Sequence, residues 1–210
     1  MQQVRMEDGA APKGPVEVRF QVLMIGLGDE IFAIGRNWPT TTWTLPHLAW
    51  IARNDPDARA RCTRILLSKD HLTLLLTGEA VTDPATAVSA LLYDPDRTAW
   101  SDRLCGLAGI APAMLPEVRP VSAEIGPLTA GAAEMLGLTT RTWVFNGTLD
   151  STAETFAAGV LDDTACVLRL ASAGGLHVVS RGARPDPKLI SYPYPIEPYW
   201  LSQAGTNTCA

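Results

Sequence analysis

Apolar residues recurring at helical spacing, punctuated by proline and glycine, mark most of the elements in this chain. Leu45, Leu48, Trp50 and Ile51 form one stripe; Thr44 is placed to cap it, Pro46 lies in its first turn, and Asn54-Asp-Pro56 ends it. Asp57 to Arg64 gives a short basic helical face, Ile65-Leu-Leu67 a short strand, and Asp70 to Gly78 a helix capped by Asp70 and closed by Gly78. Two more helices are expected over Trp100–Ala108 and Thr129–Gly137, with Met114–Pro120 as a proline-bounded connector. Val16–Ile25 alternates apolar and polar residues as a strand does, and runs into Gly26-Leu-Gly-Asp29, read as a plain strand-to-turn exit.

The later pattern is denser in information. A short apolar run, Val144-Phe145, ends in Asn146-Gly147; a single carboxylate, Asp150, follows, and a small-residue helix begins at once. That is a strand, a tight turn and a helix start with Asp150 at the junction. Cys166–Val179 supplies two apolar runs around a small-residue turn, a hairpin with a glycine-containing tip. Ala183–Tyr199 is proline-rich and reads as loop. There is no internal repeat, and the ending in small residues after Tyr199-Trp-Leu201 looks cut.

Composition narrows the class. A chain of 210 residues with 47% hydrophobic and 19% charged residues is long enough for one large domain or two small ones, and is globular rather than disordered. A net charge of −5 gives no support for nucleic acid or an anionic membrane as partner. The start is polar and acidic, and the longest apolar runs are far too short to span a bilayer, so a cytoplasmic location is expected. Cys62, Cys105, Cys166 and Cys209 are scattered without metal-ligand spacing, as isolated and mostly buried thiols of a reducing compartment would be. No metal-ligand set is legible. A lone Gly26-Leu-Gly with no G-x-G-x-x-G excludes a dinucleotide-dependent dehydrogenase. His47, His71 and His177 form no base–nucleophile pairing, and Trp43, Trp50 and Trp100 read as packing residues.

The order of short motifs resembles the FGGY carbohydrate kinases, most closely their xylulokinase-type members. Thr44-Leu-Pro-His-Leu-Ala-Trp50 follows the first signature, with His47 where a lysine is expected. Leu67-Ser-Lys-Asp-His-Leu72 is similar to the P-K-D-Y-L element, and Leu76-Thr-Gly-Glu-Ala-Val-Thr-Asp-Pro-Ala-Thr-Ala87 to L-T-G-E-x-x-T-D-x-S-x-A. Gly147-Thr-Leu-Asp150 falls on G-x-x-D, and Leu170-Ala-Ser-Ala-Gly174 on L-G-T-S-G. The match covers about residues 31–210, read as part of the first kinase domain, and residues 1–30 form a lead segment unlike the family. The family's opening Asp-x-Gly-Thr-Thr hairpin, its Met/Gln-His sugar segment and its adenosine lobe have no counterpart in this sequence.

The resemblance implies a ribonuclease-H-like, actin-like ATPase fold, incomplete here, and ATP-dependent, Mg²⁺-assisted phosphorylation of a ketopentose such as xylulose. On that reading Asp150 is the general base that accepts the sugar hydroxyl proton. Spacing alone favours a helix cap, with Ser151-Thr-Ala-Glu154 as a capping box; a cap and a base are compatible. Ser172, Ala173 and Gly174 would hold phosphate through main-chain N–H groups, with Ala171 in place of the family's first glycine. Asp83 and Thr86 would border the sugar, although an Asp83-Pro84 turn explains them equally well. Lys69 is read as a solvated lysine at a helix start. Sugar and ATP are the expected partners, no metal ligand is assigned, and no feature fixes an oligomeric state. Little sugar turnover is expected of this chain by itself; the alternative is a non-catalytic remnant or interaction module.

Overall fold

The computed structural model describes residues 26–170 and 174–206. The strand expected over Val16–Ile25 lies outside the described residues, as do Ser172 and Ala173. The first element among the described residues is a helix, α1 (Gly28–Gly35), so the Gly26-Leu-Gly-Asp29 stretch is a turn that becomes a helix start. α2 (Thr44–Asn54) begins as expected, with Trp43 rather than Thr44 in the capping position. Asp55 ends it and caps α3 (Pro56–Arg61), its Oδ1 accepting from Ala58 N at 2.9 Å. Ile65-Leu-Leu67 does not form a strand; it is a link held to Met114 O by Ile65 N at 2.9 Å. α4 (Ser68–Thr77) starts earlier than expected, which moves Asp70 from the cap to the third helical position, where it accepts from Leu67 N at 3.3 Å. Gly78 closes α4 with a φ of 83°, a left-handed value that a side chain resists.

β1 (Val81–Thr82) leads to α5 (Pro84–Ser89), the β2–β3 pair (Tyr93–Asp94, Ala99–Trp100) and α6 (Asp102–Leu107). A 3-10 turn at Pro112–Met114 precedes β4 (Glu117–Val118), which lies parallel to β1. β5 (Glu124–Pro127) and β6 (Trp143–Phe145) pair antiparallel around α7 (Ala130–Leu136). α8 (Asp150–Ala157) then leads into β7 (Cys166–Leu170), β8 (Gly174–Arg181), β9 (Ile190–Pro193) and β10 (Tyr199–Thr206). Among the described residues these four form one sheet in the order β7-β8-β10-β9, with every pairing antiparallel. β9 lies within the segment expected to be loop; its proline is tolerated because β9 is an edge strand that ends at Pro193.

Among the described residues, two apolar clusters hold the chain. The larger gathers Ile31, Leu45, Val88, Leu91, Leu92 and Leu104, all without solvent contact. Trp43 joins it, and Trp100 packs on it with Nε1 donating to Pro116 O at 2.8 Å, so both act as packing residues. The smaller joins Val160, Val179, Tyr194 and Leu201 on the inner face of the four-stranded sheet. β9 ties the two: Tyr192 belongs to the larger cluster, and Asn37 bonds Ser191 reciprocally, Nδ2 to the carbonyl at 2.8 Å and Oδ1 from the amide at 2.7 Å. Strand alternation sets the sheet's faces, turning His177 and Val179 inward and Leu176 and Val178 outward. The outward row, Leu168, Leu170, Leu176 and Val178, is exposed among the described residues. Cys166 shares that face and is exposed, whereas Cys105 is buried and Cys62 half-buried, so the thiols are not uniformly interior.

Candidate functional site

The loop between β6 and α8 is pinned before it delivers Asp150. Asn146 is buried, and its Nδ2 donates to Thr82 O and Arg119 O at 2.9 Å. Gly147 takes the left-handed turn that follows, φ 70°, and its amide donates to Val121 O at 3.0 Å. Thr148 Oγ1 donates to Asp83 Oδ2 at 2.7 Å. With three successive residues fixed, Asp150 emerges as the first residue of α8, exposed, its Oδ1 accepting from Ser151 N at 2.7 Å. The capping box expected at Ser151–Glu154 does not form, because the helix begins two residues early and Leu149 occupies the capping position.

Asp83 is not on the wall of either cavity that Asp150 borders. It is completely buried and caps α5: one oxygen accepts from Ala85 N at 3.1 Å and Thr86 N at 3.4 Å, and the other from Thr86 Oγ1. Its position is one of support beneath the loop that carries Asp150. Lys69 is not the solvated lysine expected from the sequence. Its Nζ lies 3.4 Å from Asp83 Oδ1, 3.3 Å from Asp70 Oδ1 and 3.1 Å from Asn146 Oδ1. Both carboxylates are wholly buried, while the lysine side chain keeps 23% exposure. Burial raises the Asp70 carboxyl above its ordinary range, and the neighbouring Lys69 charge pulls it partly back.

Among the described residues, Asp150 borders two cavities. The larger, about 540 Å³, is walled by Lys69, Ser68, Thr86 and Thr148. The smaller, about 310 Å³, is walled by Arg169, Gly174, Gly175, His177 and Gln203. Of the residues singled out from sequence, Thr86 therefore meets Asp150 across the larger cavity and Gly174 across the smaller. The rest of the expected phosphate turn, Ser172 and Ala173, falls outside the described residues.

His177, set aside in the sequence, belongs to this site. It is buried, and its Nδ1 lies 2.8 Å from Thr155 Oγ1, which donates onward to Ser151 O at 2.8 Å. Because the threonine proton goes to the carbonyl, the imidazole proton on Nδ1 makes the first bond. Burial holds His177 below the ordinary imidazole value, and Arg169 adds to this against the opposing pull of Glu154 and Asp150. The signal that would have found it was parity: residues 177 and 179 share the inward face of β8. Arg169, on the neighbouring strand, carried no sequence signal beyond being the single charge in an apolar run.

Solved sugar kinases of the ribonuclease-H-like, actin-like ATPase fold superpose on this pairing of a helical part with an antiparallel sheet, with a carboxylate at the strand–helix junction between them. Residues 23–157 match the N-terminal domain of the FGGY family of carbohydrate kinases, and the chain belongs to that family. It is 30% identical over 166 residues to the xylulose kinase of Lactococcus lactis, covering 79% of this chain and 32% of that protein. The Escherichia coli xylulose kinase is 27% identical over 160 residues, 75% of this chain and 33% of its own length. The crystal structure of xylulose kinase from Rhodospirillum rubrum superposes with a TM-score of 0.87 at 26% identity, over 93% of this chain and 40% of that one. Plasmodium falciparum glycerol kinase with ADP shares the fold at a TM-score of 0.78 and 16% identity, over 90% of this chain and 40% of its own. The chain thus spans about a third of the length of the curated relatives named, at 32% and 33%. Among the described residues, no helix is long and apolar enough to cross a membrane.

Proposed function

We propose that this chain carries the acceptor side of an ATP-dependent carbohydrate kinase, with a ketopentose of the xylulose type as substrate. The observation that supports this best is Asp150 on the wall common to both cavities. The larger cavity, with Thr86, Thr148 and Lys69 on its wall, suits a polyol; the smaller, with Gly174 and Arg169, suits phosphate. In the reaction a sugar hydroxyl oxygen bonds to the terminal phosphorus, the bond from that phosphorus to the bridging oxygen breaks, and the hydroxyl proton passes to the Asp150 carboxylate. Asp83, Lys69 and Asn146 act by positioning, since they hold the loop that aims this carboxylate. Among the described residues there is no cluster of three ligating side chains for a metal. Mg²⁺ brought with the phosphates near the exposed Asp150 carboxylate would supply charge neutralisation.

The xylulose kinases among the similar proteins favour a ketopentose over other sugars. The test is a melting curve with and without D-xylulose, together with ADP release. D-xylulose is expected to raise Tm by mass action, and any xylulose-dependent ADP release is expected to fall at least about 100-fold in Asp150→Asn. Neither stabilisation by millimolar D-xylulose nor xylulose-dependent ADP release would favour the alternative, a remnant or interaction module without catalysis.

A further inference from the structure

The smaller cavity holds a cation to which proton acceptance by Asp150 gives no task. Arg169 lies on β7 opposite Gly175 of β8, whose own partner on β10 is Gly205. The sheet row that Arg169 heads therefore carries no other side chain, and Arg169 lines the smaller cavity together with both glycines. Gly175 has no left-handed φ to explain its identity. Room explains it: a Cβ there would come 3.3 Å from His177 Nε2.

Within the described residues, the ion-pair partner of Arg169 is Glu154 at 3.6 Å, with both side chains about half exposed, at 49% and 54%. Pairs of that length and exposure are weak and exchange readily. Arginine, in contrast, matches phosphate oxygens with two parallel N–H donors.

We infer that Arg169 is a phosphate clamp that leaves Glu154 to bind the terminal phosphates of a nucleoside triphosphate in the smaller cavity. This rests on the two-cavity reading above and adds to it the residue that recognises the anion. Glu154 is then a competitor for the guanidinium, so the two residues have opposite signs.

Titration calorimetry of the whole chain with ATP and with inorganic tripolyphosphate, at about 50 and about 200 mM salt, tests it. Arg169→Ala is expected to bind both about tenfold more weakly than the unaltered chain at low salt, with a smaller salt dependence. Arg169→Lys should fall between, and Glu154→Gln should bind about two- to threefold more tightly. Were Arg169→Ala poorly folded, the Lys and Gln variants would decide by their opposite signs. Unchanged affinity in these variants beside clear ATP binding by the unaltered chain overturns the clamp and leaves the kinase reading standing. No binding of either anion by the unaltered chain removes the nucleotide side of that reading and the clamp with it.

Discussion

Replacing Lys69 by methionine tests whether the site is held from beneath. The substitution keeps the length and apolar stem of the side chain and removes the charge, leaving Asp70 and Asp83, both at 0% exposure, without their shared ammonium. Removing one partner of a buried ion pair costs roughly 3–5 kcal/mol, because the remaining charge stays desolvated. Lys69 retains 23% exposure, and Asp83 keeps its donors from α5 and Thr148, so the lower end, about 3 kcal/mol, is expected. For a chain of this size that corresponds to a fall in Tm of roughly 6–12 °C, read by circular dichroism and checked by urea titration. The effect also has a pH signature. The Asp70 carboxyl is raised by burial, so its contribution is most favourable below the ordinary carboxylate value and is lost as pH rises through the raised one. Without Lys69 that rise is larger, so Lys69→Met should lose less stability near pH 4 than at pH 7. Adding Asp70→Asn should recover at least half of the loss at pH 7, since a neutral side chain in that position has no charge to desolvate. A melting temperature for Lys69→Met within about 2 °C of the unaltered chain would refute the buried-anchor argument.

His177 has its imidazole lowered, so stability is fully present above the ordinary histidine range and falls as pH drops through it. The urea midpoint should decline between about pH 7.5 and 5.5, and His177→Gln should flatten that slope; identical slopes would sink the assignment. Leu104→Ala, at 0% exposure in the larger cluster, should cost about 2–5 kcal/mol with unchanged response to D-xylulose per folded molecule.

Helix-forming stretches with glycine or proline at their ends were legible because local chemistry terminates them. Gly78 closes α4, and Asp55-Pro56 separates α2 from α3. Starts were less secure: Asp70 and Ser151 each have capping chemistry, yet helices begin before them because Leu67 and Leu149 already leave extended backbone. β9 was hidden since its pairing is with β10, which a proline-rich local pattern cannot reveal. The junction carboxylate was visible from Asn146-Gly147 and the motif order. Its neighbours were not, because Lys69, Arg169 and His177 come to share a cavity wall with Asp150 from 81, 19 and 27 positions away, through tertiary folding alone.

One carboxylate bordering two chambers has a thermodynamic corollary. A hydroxyl donating to Asp150 from the larger chamber softens the repulsion that an incoming anion meets in the smaller, so cooperativity between sugar and polyphosphate should be positive. Linkage makes it symmetrical: whatever factor D-xylulose applies to the Kd of tripolyphosphate, tripolyphosphate must apply to that of D-xylulose.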